Sequence, residues 1–199
     1  MGYIEDDNAS ESEKSAGQAR NRLNTLVAIT VALLATFMGV CKVKDDNIVQ
    51  AMQQAQADKI DNYTWYQARN VREDIAKSTV AQLTAQAAGA GEAAKSAYQE
   101  QITAFQALEK DQADKKQKQL DDAAKADKTY NDLNFHDDQF DLSDAMLALA
   151  ISLLAMTALT QKKWLFYLAL VPTAFGLLMG LAGLLGWNIH PNALTNLLS

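Results

Sequence analysis

Residues 145–187 read AMLALAISLLAMTALTQKKWLFYLALVPTAFGLLMGLAGLLGW. Two apolar runs, 145–161 and 164–187, stand on either side of a short polar link centred on Lys162 and Lys163. A helix rises about 1.5 Å per residue, so roughly 20 apolar residues cross ~30 Å of hydrocarbon. The second run meets that length. The first is short and needs Leu142 or a helical lead-in to complete it. Read together, they predict a membrane hairpin. A third apolar run, residues 23–43, lies near the N-terminus, and from Leu23 to Val40 its only polar side chains are Asn24, Thr25, Thr30 and Thr36. The expected fold is therefore an all-α membrane protein with three transmembrane helices. A polar segment at 1–22 precedes the first, residues 44–144 separate the first from the second, and a tail at 188–199 follows the third.

Bulk composition hides this architecture. The mean hydropathy of -0.17 and net charge of -6 are ordinary values. Yet residues 45–144 carry 11 Lys and Arg against 19 Asp and Glu, while residues 145–199 carry only Lys162 and Lys163 and no acid. The acidic balance argues against a nucleic-acid partner, because no basic stripe is present to neutralise phosphates. With 2 Pro and 9 Gly in 199 residues, the chain lacks the residues that break helices. Cys41 is the single cysteine, so no internal disulfide is expected. Met38-Gly39-Val40 before it is a poor lipoprotein cleavage signal, and an uncleaved first span is expected.

At the N-terminus, residues 1–9 are polar and expected to be loose, and Ser10-Glu11-Ser12-Glu13 fits a capping box that would start a helix. The long middle segment reads as a helical hairpin. Apolar residues fall at Ile48, Met52, Ala55, Tyr63, Tyr66, Val71, Ile75, Val80, Leu83 and Ala87, mostly in steps of three and four. Ala88-Gly89-Ala90-Gly91 is the turn signal. A second arm then carries Tyr98, Ile102, Phe105, Leu108, Leu120, Ala123, Ala124, Tyr130 and Leu133. The two arms, about 44 and 41 residues, form an antiparallel coiled-coil-like pair. Its seam looks thin and interrupted, since Lys110 to Lys128 is almost wholly Lys, Asp, Gln and Ala. Such a hairpin is expected to pack against copies of itself or another protein. Tyr63, Trp65, Tyr66 and Arg69 form its densest cluster and are the expected interface residues, since aromatics beside Arg often dominate interfaces.

Residues 134–144 read as a solvated acidic linker, with Ser143 or Asp144 capping the second span. His136, Asp137, Asp138 and Asp141 match no EF-hand spacing and no His pair, so no metal or other cofactor is expected. Small residues recur at helical spacing in all three spans: Ala28, Ala32 and Gly39; Ala148 and Ser152; Gly176, Gly180 and Gly183. Each stripe is a candidate helix-packing face. Lys162, Lys163 and Trp164 form an interfacial anchor, and by the positive-inside rule they face the cytoplasm. The N-terminus is then cytoplasmic and the hairpin extracytoplasmic, as expected of a multi-pass protein of a cytoplasmic (inner) membrane.

The run 61–77, with Trp65-Tyr66-Gln67-Ala68-Arg69, and the run 159–167, with Gln161-Lys162-Lys163-Trp164, resemble the DUF4337 family of membrane proteins over roughly residues 20–187. The chain lacks the His-rich N-terminus associated with many members. The resemblance implies a bacterial membrane protein and carries no activity with it. No span has a charged residue in its middle, which argues against coupled transport or proton relay. Two His at unrelated positions and one cysteine leave little for catalysis, so no enzyme is expected. The leading expectation is a structural or accessory membrane protein that oligomerises or binds a partner complex through its hairpin. The alternative is an oligomeric pore or channel subunit.

Overall fold

The structure, a computed structural model, describes residues 3–189, with side chains from Gly17 onward. Three helices account for nearly all of it: α1 (Tyr3–Ala88, 86 residues), α2 (Glu92–Thr160, 69 residues) and α3 (Lys163–Leu185, 23 residues). All three are long and apolar enough to cross a membrane. One compact unit joins α1 up to Val49 with α2 from Leu133 and α3; the other comprises Gln50–Asp132.

Two expectations are corrected. Helix α1 begins at Tyr3 and passes through Ser10 to Glu13 without a break, so no capping box starts it there. Residues 134–144 are an uninterrupted part of α2, and Gln139, Phe140, Leu142 and Ser143 are buried. Ser143 caps nothing: its hydroxyl donates to the Gly176 carbonyl at 2.8 Å. The acidic residues there looked like a linker because their charges masked a helical period that places Phe140, Ser143, Leu147, Ala150, Leu154 and Thr157 on one buried face.

The first unit is a three-helix bundle. Val27 and Leu34 of α1, Leu147, Ala150 and Leu154 of α2 and Ala169 of α3 form its core, with Phe37, Met38 and Phe166 packed against them. Thr30 and Thr36 return their hydroxyls to the Leu26 and Ala32 carbonyls at 2.8 Å each, which lets polar side chains sit on an apolar helix. The link between α2 and α3 is two residues long. Gln161 takes a left-handed φ of 58° there, and its side-chain amide donates to Asn24 Oδ1 at 2.7 Å and to the Ala158 carbonyl. Helix α3 holds Pro172 in its interior and ends at Gly186, whose φ of 68° lets the chain reverse while its N–H and that of Trp187 return to the Ala182 carbonyl.

The second unit is a two-helix hairpin turned at residues 89–91. Its contacts run antiparallel: Lys59 meets Asp127, and Arg69 and Asn70 meet Gln112 and Lys116. Its seam departs from the sequence reading. One heptad register runs along α1 through the hairpin, and each of its seam positions there is buried or half-buried. In the hairpin these are Met52, Ala55, Lys59, Asn62, Tyr66, Arg69, Glu73, Ala76, Val80, Leu83 and Ala87. On α2, Ile102, Phe105, Glu109, Gln112, Lys116, Gln119, Ala123, Ala126 and Tyr130 do the same. The apparent interruptions are polar residues standing at seam positions.

Candidate functional site

Polar side chains hold the hairpin in register. Glu73 is 5% exposed, and its carboxylate pairs with Lys116 of the opposite helix and with Lys77, both at 2.5 Å. Those two ammonium groups hold its carboxyl below the usual range. Lys59 pairs with Asp127 at 2.6 Å, and Arg69 Nη1 donates to Gln112 Oε1 at 3.3 Å. Such contacts can fix strand pairing and register more than they add to stability.

The consequence appears on the outside. Tyr63, Val71 and Ile75, expected in the seam, are 41%, 57% and 58% exposed, and Leu108 on the other arm is 42% exposed. Ile60 and Trp65 are exposed as well. The aromatic cluster is thus divided. Tyr66 and Arg69 occupy seam positions, while Tyr63 and Trp65 face outward, the Trp65 ring lying 5.8 Å from the Arg69 guanidinium. Some charged and polar groups thus sit inside this hairpin beside Met52, Leu83 and Ile102, while several large apolar groups sit outside it.

The bundle uses only one of the three small-residue stripes internally. Gly176, Gly180 and Gly183 are buried, and a Cβ at each would lie 2.7 Å from Leu147 Cγ, 2.6 Å from Phe37 and 2.7 Å from Phe140 respectively. Only glycine allows so close an approach of α3. Ala28, Ala32 and Gly39 on α1, and Ala148 and Ser152 on α2, all face outward; a Cβ on Gly39 would meet nothing within 4 Å. The anchor residues Lys162, Lys163 and Trp164 are exposed.

At the end of the bundle near Gly183, polar groups are buried that no sequence motif singled out. Gln139 is fully buried, and its amide donates to the Trp187 and Ile189 carbonyls at 2.7 and 2.6 Å. It thereby ties down the chain leaving α3, whose last carbonyls have no helical partner. Replacing Gln139 with Ala should lower bundle stability by about 1–3 kcal/mol, from the loss of two hydrogen bonds at roughly 0.5–1.5 kcal/mol each. Thermal unfolding in detergent would measure this, and an unchanged midpoint would contradict the assignment.

Beside Gln139 lie Asp45 of α1 and Asp137, Asp141 and Asp144 of α2. Asp45 is 4% exposed; its Oδ2 accepts from Lys42 at 2.7 Å, while its Oδ1 is buried with no donor. Asp144 Oδ1 is likewise buried with no donor. Burial, a hydrogen bond with Asp45 and the charges of Asp141, Asp45 and Asp138 push the Asp137 carboxyl up to about 7. Burial and the Asp45 charge also raise Asp141, partly offset by Lys42. Among the described residues, no three His, Cys, Asp or Glu side chains converge closely enough to hold an ion. Asp45 and Asp137 lie close enough that the charge of one carboxyl favours the protonated form of the other. The signal available in sequence was the heptad phase, which places Asp45 and Asp137 at seam positions of their helices.

No curated protein and no solved structure matches this chain. A family model does, across residues 23–186, the stretch that holds the bundle, the hairpin and both motif runs. The chain belongs to the family described as a domain of unknown function, DUF4337.

Proposed function

We propose that this is a structural or accessory membrane protein, without enzymatic activity, that assembles through its helical hairpin with further copies of itself or with another membrane protein complex. The observation that carries the reading is the inverted hairpin, in which Glu73, Gln112 and Lys116 are turned in while Ile60, Tyr63, Trp65, Val71 and Ile75 are turned out. Large apolar side chains exposed in such number along one arm of the hairpin commonly mark an interaction surface. The outward small-residue stripes of α1 and α2 support association of the membrane segments too. The positive charge of Lys162 and Lys163 supports a cytoplasmic N-terminus and an extracytoplasmic hairpin in an inner membrane.

The test is the molecular mass of the full chain after mild extraction. The wild type should run as a multiple of 21.7 kDa or with co-purifying protein. A V71E/I75E variant should run as a single chain with unchanged helix content, since both positions are exposed. Retention of the full assembly by that variant would refute the hairpin as the contact. Ion conductance by the wild type in liposomes would favour a pore subunit instead.

A further inference from the structure

At the opposite end of the bundle from the acidic cluster, α1 and α3 diverge around a cavity of about 400 Å³. It is lined by Gln18, Ala19, Arg22, Leu23 and Leu26 of α1 and by Lys163, Phe166 and Tyr167 of α3. Two cations thus come from different helices to one opening, and both are exposed. Among the described residues, neither Arg22 nor Lys163 has a carboxylate partner within ion-pairing distance. Several other cations among the described residues also lack an acid partner, and what sets Arg22 and Lys163 apart is that both line one cavity. A second shallow groove, lined by Asn21, Arg22, Thr25 and Leu26, flanks Arg22 on its other side.

The rest of the lining indicates what balances that charge. Leu23, Leu26 and Phe166 make an apolar floor where the first and third apolar runs begin. The Tyr167 hydroxyl and the Gln18 amide add neutral hydrogen-bonding groups at its edge. A free inorganic anion would use the cations and leave that floor wet. A phosphodiester carrying acyl chains would use both, with its phosphate between Arg22 and Lys163 and its chains along Leu26 and Phe166. Basic pockets between transmembrane helices take lipid headgroups in this way. Guanidinium and ammonium groups are the usual phosphate donors. We propose that this cavity is a binding site for an anionic phospholipid, held by Arg22 and Lys163 across the α1–α3 opening. The site is independent of hairpin assembly and of which face of the membrane it occupies.

The test uses the full chain in mild detergent, with retained lipid counted by native mass spectrometry in mixed phosphatidylglycerol and phosphatidylcholine micelles. Wild type should retain phosphatidylglycerol preferentially. At roughly 1 kcal/mol for each cation near a lipid surface, an R22Q/K163Q variant should lose about 30-fold of that preference. An R20Q/K162Q variant removes the same charge from residues outside the lining and should keep it. R22K should also keep most of it, and far-UV circular dichroism should show equal helix content throughout. Equal loss in both double variants would mean diffuse surface charge and would overturn the site. So would a preference that survives R22Q/K163Q. Displacement of the bound lipid by millimolar inorganic phosphate would overturn the lipid in favour of a free-phosphate site.

Discussion

Replacing Gly176 with Val will loosen the bundle more than any other single change at a small residue. Gly176 faces Leu147, whose Cγ would lie 2.7 Å and whose backbone nitrogen 3.2 Å from a new Cβ. A side-chain tip can swing aside, but a backbone atom moves only with its helix. The same contact carries the Ser143 hydroxyl bond to the Gly176 carbonyl, so a displaced α3 also strands a buried donor. Overpacking of this kind costs about 1–3 kcal/mol, and the lost hydrogen bond places Val at or above the top of that range. Gly39→Val is the matched control. It alters the same residue type in a span but meets open space, and should change the stability of the single chain by under about 0.5 kcal/mol. Thermal unfolding of single chains in detergent compares them. Equal effects at the two positions would show that α3 does not depend on close approach.

The second large effect is on pH. Asp137 titrates ordinarily at 3.8 but is pushed up to about 7 in the folded bundle. A group whose pKa is raised on folding contributes stability that is complete below its unfolded value and is lost as pH rises through its folded value. The bundle should therefore weaken as pH climbs from about 4 through about 7. Asp137→Asn keeps an amide donor for Asp45 without the proton and should reduce this slope, leaving the smaller part carried by Asp141 and Asp144. The hairpin should behave oppositely. Lys116 and Lys77 lower the Glu73 carboxyl from 4.5, so its contribution is present above that value and disappears as pH falls through the lowered one. Trp65 reports on the hairpin, whereas Trp164 and Trp187 report on the bundle. A variant retaining Trp65 alone should lose stability in acid, and one retaining the other two should lose it towards neutrality. A bundle that grows more stable from pH 5 to 8 would contradict the Asp45–Asp137 assignment.

How much of this could be read from the chain depends on where charge falls. The apolar runs containing Leu34, Leu154 and Ala169 announce long helices, because nothing but a helix satisfies backbone groups across so many uninterrupted apolar residues. The stretch from Asn134 to Asp144 did not announce itself. Asp137, Asp138, Asp141 and Asp144 look solvated until Phe140 and Ser143 are seen facing α3. In the hairpin, choosing the apolar residues as the seam put Val71 and Ile75 inside, whereas the heptad places Arg69, Glu73 and Ala76 there. Hydrophobicity alone reports the wrong face when Lys116 is in position to neutralise a buried Glu73. The glycine run of α3 is the most specific of the three small-residue stripes, but the pattern alone does not say which stripe is used within one chain. Only the packing separates Gly176, Gly180 and Gly183, which are consumed within one chain, from Ala28, Ala32, Gly39, Ala148 and Ser152, which are left outside.

The most direct measurement is thiol accessibility on the outward face of the hairpin, made in native membranes. With Cys41 replaced by Ala, a cysteine is placed at Ile75 or, as a reference, at Lys118, and labelled with a water-soluble maleimide before and after extraction to single chains. The account predicts that position 75 reacts far more slowly in membranes than in isolated chains, while position 118 reacts equally fast in both. Labelling at position 75 as rapid in native membranes as in the extracted single chain would mean that nothing covers this face.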